Sequence, residues 1–318
     1  MGWPFPVFYS AALALLAERL TGYPKFIHEA IGHPAEWIGR LIDRLDTALN
    51  RPAADAFEGR IRGVAALVLL LVAALVPSWL AAKALSHSSL GWIVEPLIAT
   101  AFIAQSSLRQ HVDAVYRGLG QSLGEGRRAV SRIVGRDPVQ LDESGVVRAA
   151  LESLAENCSD GIVAPAFWYA MLGLPGIIVY KAINTADSMI GHKSERYRHF
   201  GWAAARLDDL VNLPCSRLTG LLFAVASGNR CGAAMAAMRR DAGKHGSPNA
   251  GWPEAAMAAA LGLRFGGPRS YHGEIVDLPW MGDGRTGLSR DDIRAGLRLY
   301  GNALTLLFVL MLACAVVF

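Results

Sequence analysis

Residues 63–85 read GVAALVLLLVAALVPSWLAAKAL. No charge interrupts this run before Lys83, and it approaches the ~20 apolar residues that a bilayer core requires. The stretch predicts a transmembrane helix over 64–85. Pro77 lies inside it and is expected to kink it, which membrane helices tolerate. Working outward, 92–108 is a second apolar run, with Glu95 near its start. The run 303–318 is a third, and 4–17 is a shorter fourth.

The rest of the composition agrees with these runs. Hydrophobic residues make up 53% of the 318 residues and charged residues 18%. The charged share is below the roughly 25% of soluble domains, and the mean hydropathy is +0.29. The fold class expected is an all-α, polytopic integral membrane protein, a single membrane-embedded domain over residues 1–318. A net charge of +4 is too small for a nucleic-acid footprint, and no basic and aromatic residues interleave as a single-strand binder needs. Cys158, Cys215, Cys231 and Cys314 have neither zinc nor redox spacing and read as small buried hydrophobes. The N-terminus carries no positively charged n-region, which predicts no cleaved signal peptide.

Lysine and arginine set the expected orientation. Arg19, Lys25, Arg40, Arg44, Arg51, Arg60 and Arg62 lie between the first two runs, and residues 86–91 carry none. Arg109, Arg117, Arg127, Arg128, Arg132, Arg136 and Arg148 follow residue 108. The runs 64–85 and 92–108 then form a hairpin with its tip outside and its open ends in the cytoplasm. Both chain termini are expected outside.

Two further runs, 162–180 and 210–226, are broken by Pro165, Gly173–Pro175–Gly176 and Pro214. Full crossings would export Lys193, Arg196, Arg198 and Arg206. They are therefore expected to be re-entrant or partly immersed, because broken helices at membrane depth line cavities or pack within protein. Asp142 is a candidate cap for a helix whose stripe is Val146, Val147, Ala150, Leu151 and Leu154. Residues 243–253 and 266–287 read as loops around a helix of small residues, and no alternation is long enough for a sheet.

Polar residues crowd these broken runs. Glu152 and Glu156 are four apart on one helix face, with Asn157 and Asp160 at its end. Paired acids with an amide suit magnesium, which takes oxygen ligands and shares them with phosphate. They equally suit a solvated acidic face. Lys181, Asn184, Asp187 and Ser188 run along one helix side. Asp208, Asp209 and Asn212 form a DDxxN pattern that also suits magnesium on a phosphorylated ligand, and such patterns occur in membrane prenyl-transferring enzymes too. Arg196, Arg198 and Arg206 carry paired donors for phosphate, or serve as cytoplasmic charge. Ser247 and Asn249, before a helix opening near Glu254, offer an anion cradle. His245 is a candidate base, and His33–Pro34 with Trp37, Gly39 and Arg40 forms a compact cluster.

Five stretches together carry a family resemblance: HPAEWIGRLIDRLDTALNR (33–51), SRIVGRDPVQLDESGVVRAALESLAEN (131–157), DGIVAPAFWYAMLGLPG (160–176), YKAINTADSMIGHKSERYRHFGWAAARLDDLVNLPCSRLTG (180–220) and RRDAGKHGSPNAGWPEAAMAAALGLRFGGPRSYHG (239–273). In this order they resemble the CobD/CbiB family of cobalamin biosynthesis, the adenosylcobinamide-phosphate synthases. One departure is visible. Family members carry an acidic residue followed by GDP near the first span, whereas this chain reads ERLTGYP, with Tyr23 in the Asp position.

The resemblance implies a multi-pass enzyme of the cell membrane whose site faces the cytoplasm. Its expected reaction joins adenosylcobyric acid to (R)-1-amino-2-propanol O-2-phosphate or ethanolamine phosphate through an amide, with ATP as co-substrate and magnesium as cofactor. Catalytic roles then fall to Glu152, Glu156, Asp187, Asp208 and Asp209, and magnesium to Glu156, Asp160, Asp208 and Asp209. Lys181, Asn184, Ser188, Arg196, Tyr197, Arg206, Asn212, Ser247, Asn249 and Glu254 are expected to bind substrate. Trp168, Tyr197 and Trp202 are expected to flank the corrinoid ring. Membrane lipid is an expected partner, and a homo-oligomer or a complex with other late assembly enzymes is expected. The rival readings are a magnesium-dependent prenyl-diphosphate transferase and a non-catalytic membrane scaffold.

Overall fold

The computed structural model describes residues 7–51, 55–135, 138–271, 274–276 and 278–317. The elements in chain order are α1 (Val7–Thr21), α2 (Lys25–Ile31), α3 (Pro34–Leu49), α4 (Ala56–Ser86), α5 (Gly91–Thr100), α6 (Gln105–Leu119), α7 (Leu123–Val130), α8 (Glu143–Cys158), α9 (Ala164–Ile190), α10 (Trp202–Ala226), α11 (Cys231–Asp241), α12 (Gly251–Leu261) and α13 (Arg290–Val317). Residues Ser159–Val163 form a π-helical turn between α8 and α9. Four short strands lie between α12 and α13: β1 (Phe265–Gly266), β2 (Arg269–Tyr271), β3 (Glu274–Val276) and β4 (Trp280–Met281). They pair as β1–β4 and β2–β3, both antiparallel. The region read as a plain loop over 266–287 thus contains two small ladders. Strands of two or three residues are too short to display alternation in sequence.

Among the described residues, three helical runs are long and apolar enough to cross a membrane: 56–86, 143–190 and 290–317. Helix α4 has 31 residues, about 46 Å at 1.5 Å per residue, and continues without interruption through Pro77. Val68, Leu69, Val72, Val76 and Leu80 stand exposed along it. Such a continuous apolar surface fits a membrane-spanning helix. The second run joins α8, the π-helical turn and α9, and the third is α13. Residues 4–6 and 318 of the expected spans lie outside the described residues.

The expected span 92–108 is not one helix. Helix α5 has ten residues, about 15 Å, half of a ~30 Å bilayer core. It ends where the Ala101, Phe102 and Ile103 amides bond three residues back, to Ile98, Ala99 and Thr100, which tightens the last turn. Of the two runs expected to form a hairpin over 64–108, α4 is long enough to cross and α5 is not. Helix α9 is broken as its sequence predicts: Gly173 has φ 67° and ψ −157° inside it. Buried Glu95 on α5 accepts the Leu174 backbone N–H that this break frees. The cost of an open backbone group is met by a side chain from a neighbouring helix.

The chain packs as two compact units. One comprises residues 1–104, 164–212 and 311–318, the other 105–163 and 213–310. They interleave in sequence, so neither is a contiguous domain. In the first unit, Ile42 of α3, Ala66 and Leu70 of α4, Ala182, Ala186 and Ile190 of α9, with Phe200 and Ala204, form a buried cluster. Gly63 allows this approach, since a Cβ there falls 1.9 Å from the Phe200 carbonyl oxygen. In the second unit, α8 is the central helix. Asp142 caps it by accepting the Gly145 amide, and all five residues of its expected stripe are buried. Helix α12 is buried on nearly every side, which its small residues permit.

Candidate functional site

In the first unit, polar side chains of α9 and α10 converge. Asn212 is wholly buried. Its Nδ2 donates to Asp208 Oδ2 at 3.0 Å, and its Oδ1 accepts the Tyr180 hydroxyl at 2.9 Å. The i,i+4 spacing of Asp208 and Asn212 makes the first bond possible, and Tyr180 on the neighbouring helix fixes the amide's orientation. Asp208 Oδ1 is buried and has no hydrogen-bond partner among the described residues. Burial, and next the Asp187 carboxylate, push the Asp208 carboxyl up to about 7; the amides of Asn212 and Asn184 pull the other way. A carboxyl in that state has unmet demand for positive charge, from a proton or a cation.

Asp187 is positioned from below. Gly191 lies under its carboxylate: a Cβ there falls 2.0 Å from Asp187 Oδ1 and 2.6 Å from its carbonyl oxygen. Asp209 is half-buried, with Arg206 Nη1 at 3.7 Å. Lys181, one residue after Tyr180, is partly buried. It acts on His33, whose imidazole is held below the ordinary histidine range first by burial and then by the Lys181 cation. The neutral ring caps α3: its Nδ1 accepts the Ala35 amide, and Glu36 completes a capping box. The HPAEW cluster thus frames the lysine end of the site. Tyr23, the departure from the family pattern, donates to the Gly32 carbonyl at 2.9 Å and packs edge-on to His33.

Other expected ligands in this unit are engaged. Arg196 pairs with Asp46 of α3 at 2.5 Å, and Tyr197 donates to the same carboxylate at 3.3 Å. Ser188 is exposed and donates to the Asn184 carbonyl. Trp168 donates to the Val211 carbonyl and, with Trp79, Pro175, Val179, Tyr180 and Ile183, lines an apolar cavity of about 440 Å³. Trp202 is exposed under the Arg60 guanidinium.

The second unit holds the other expected residues. Glu152 and Glu156 separate: Glu156 is exposed, while Glu152 is buried and accepts the Gly266 amide at 2.7 Å, tying α8 to β1. Asp160 sits in the π-helical turn. Ser247 Oγ accepts the Asn249 and Ala250 amides, and His245 Nδ1 accepts the Ser247 amide. The N–H groups of the expected cradle are therefore bonded within the loop. With Nδ1 accepting, the His245 proton sits on Nε2, 3.7 Å from buried Glu254. Asp241 is wholly buried and gathers Arg240, Lys244 and the Gly282 amide, with Arg240 also reaching Asp283. Burial alone raises an acid, but these donors outweigh it and hold Asp241 well below the usual carboxylate range.

The family profile described as CobD/Cbib protein matches residues 11–300. This chain belongs to the CobD/CbiB family. The Cobalamin biosynthesis protein CobD of Sinorhizobium fredii (strain NBRC 101917 / NGR234) is 48% identical over 309 residues, covering 95% of this chain and 94% of that protein. The protein of the same name from Rhodobacter capsulatus is 48% identical over 304 residues, 92% of each. That from Brucella suis biovar 1 (strain 1330) is 46% identical over 314 residues, 96% of each. No solved structure matches.

Tyr180 and Gly191 of this CobD/CbiB chain carry no signal of their own in the sequence. Tyr180 and Gly191 sit inside stretches already quoted, but their roles depend on which atoms face them. Asp208 and Asn212 were legible, because helical spacing alone brings them together.

Proposed function

We propose that the chain is an adenosylcobinamide-phosphate synthase. It joins the free propionate of adenosylcobyric acid to (R)-1-amino-2-propanol O-2-phosphate or ethanolamine phosphate, with ATP consumed. Membership of the CobD/CbiB family supports a place in cobalamin biosynthesis. The observation that carries the reaction is Asp208, a buried carboxylate with one oxygen unbonded, beside Asp187 and held by Asn212 and Tyr180.

A carboxylate does not condense with an amine unaided, because oxide is a poor leaving group. In the proposed sequence a propionate oxygen takes the γ-phosphoryl group of ATP, releasing ADP. The amine nitrogen then attacks the acyl carbon, inorganic phosphate leaves, and the amine proton passes to a base. Asp187, Asp208 and Asp209 fit magnesium, since they offer hard oxygen donors and Asp208 has one to spare. Among the described residues no three His, Cys, Asp or Glu side chains form a metal cage, so these acids would hold magnesium only together with water and substrate phosphate oxygens. When bound, it neutralises phosphate charge. Glu156 and Asp160 are the second magnesium or base candidates. Lys181 and Arg206 bind phosphate oxygens, and Asn184 and Ser188 position substrate. Arg196 joins them only on release from Asp46. Trp168, Tyr197 and Trp202 flank the corrinoid. The protein sits in the cell membrane with this site open to the cytoplasm, where ATP is available.

The test uses purified full-length chain in detergent with MgATP, adenosylcobyric acid and each aminoalkyl phosphate. Adenosylcobinamide phosphate and stoichiometric ADP are expected by mass spectrometry. Failure to form the amide with either amine, by protein that is folded and monodisperse, overturns the proposal.

A further inference from the structure

Arg217 differs in its surroundings from the arginines that pair with acids. Arg196, Arg206, Arg240 and Arg285 each pair with a carboxylate, from Asp46, Asp209, Asp241 and Asp292 respectively. Arg217 is half-buried, yet among the described residues it has no acidic partner. Its Nη1 donates to three neutral oxygens: the Leu213 carbonyl at 3.0 Å, Ser216 Oγ at 3.1 Å and Asn249 Oδ1 at 3.3 Å. Its guanidinium carbon lies 4.6 Å from the Trp252 ring centroid.

These contacts fix the plane of the guanidinium without neutralising it. Stacking holds one face, and Nη1 is bonded, so the Nε and Nη2 edge makes no hydrogen bond among the described residues. That edge is a pair of parallel donors, the geometry that matches two oxygens of one phosphoryl group. Partly desolvating a cation without a counter-charge is costly, and the cost is offset when an anion arrives.

The surrounding loop maintains this state. Asn249 is buried, and its Oδ1 also accepts the Ser216 hydroxyl at 3.1 Å. Its backbone N–H is bonded to Ser247 Oγ. The SPN loop therefore spends the Ser247 and Asn249 backbone donors on itself and presents a neutral acceptor to Arg217.

We propose that Arg217 is an anion-binding residue that receives a phosphoryl group. Ser247 and Asn249 act through it as positioning residues. The choice of phosphoryl over other anions rests on the ligase reading above.

The test is arginine-specific modification of the full chain with phenylglyoxal, read by peptide mass spectrometry. Inorganic pyrophosphate is expected to slow labelling of Arg217 at least fivefold and to leave Arg128, a surface arginine paired with Glu125, unchanged. Equal labelling with and without pyrophosphate overturns the proposal, as does an Arg217 that never reacts. Separate arms with MgATP and with ethanolamine phosphate tell which one supplies the phosphoryl group. Arg217→Lys keeps the charge but loses the fork. It should raise KM for that substrate about tenfold with kcat nearly unchanged, which loss of packing alone does not produce. Protection without amide formation keeps this site and sinks the ligase reading; amide formation without protection does the reverse.

Discussion

Tyr180 donates its phenolic hydrogen to Asn212 across 2.9 Å, and both side chains are buried. This bond orients the Asn212 amide so that its N–H groups face Asp208. Removing either partner leaves buried polar atoms unmet, at a cost of ~1–3 kcal/mol. Tyr180→Phe is expected at the low end and Asn212→Ala at the high end, each with a loss of amide-forming activity. Thermal unfolding and turnover measured side by side check this; an Asn212→Ala protein with wild-type values of both refutes it.

Asp208→Asn preserves shape and removes the charge. The folded carboxyl titrates at about 7, against ~3.9 for a free aspartate. A raised value contributes stability that is complete below about pH 4 and lost as pH rises through about 7. In magnesium-free buffer the variant should therefore match wild type near pH 4 and unfold at higher temperature by pH 8. Its activity should fall on the order of a hundredfold, a typical scale for one electrostatic group.

Asp241 carries the opposite sign. Its carboxyl is held low by Arg240, Lys244 and the Gly282 amide against the effect of burial. Its contribution is present above the ordinary aspartate value of ~3.9 and is lost as pH falls toward the folded value below it. Asp241→Asn should lose stability at neutral pH and converge with wild type in acid. Hydrogen exchange around Gly282, compared at pH 7 and pH 4, reads the local effect.

Two glycines separate packing from chemistry. Gly63→Ala drives a Cβ to 1.9 Å from the Phe200 carbonyl oxygen, an overpacking expected to cost about 1–3 kcal/mol or more. Gly191→Ala meets Asp187 instead. It should depress turnover more than its change in melting temperature explains, because the carboxylate must move.

Orientation is open to direct labelling. Ser88→Cys, in a background lacking the four natural cysteines, should react with an impermeant maleimide from outside. Gln121→Cys should react only after lysis. The second result is the sharper one, because the charge rule returns the chain to the cytoplasm although α5 alone is too short to carry it.

The long apolar helices were legible because apolar length is a local property. Helix α4 appears where 64–85 placed it, and the break in α9 falls at the Gly173–Pro175 cluster. The run 92–108 is not one helix for an equally local reason: its apolar residues cover a helix end and a turn, and hydropathy does not distinguish them. Asp208 and Asn212 were readable from i,i+4 spacing. Glu152 and Glu156 followed the same rule with a different outcome, since Gly266, distant in sequence, claims Glu152.

By itself the sequence determined the helical class, the apolar runs, the family and the inventory of acids, amides and arginines, because these follow from periodicity, composition and residue order. The tertiary structure alone decided which of those groups are engaged. It bound Arg196 to Asp46 and left Arg217 without an acidic partner among the described residues. It buried Asp208 with an oxygen to spare. Those differences depend on desolvation and on partners brought together from distant parts of the chain, and neither is written in local spacing.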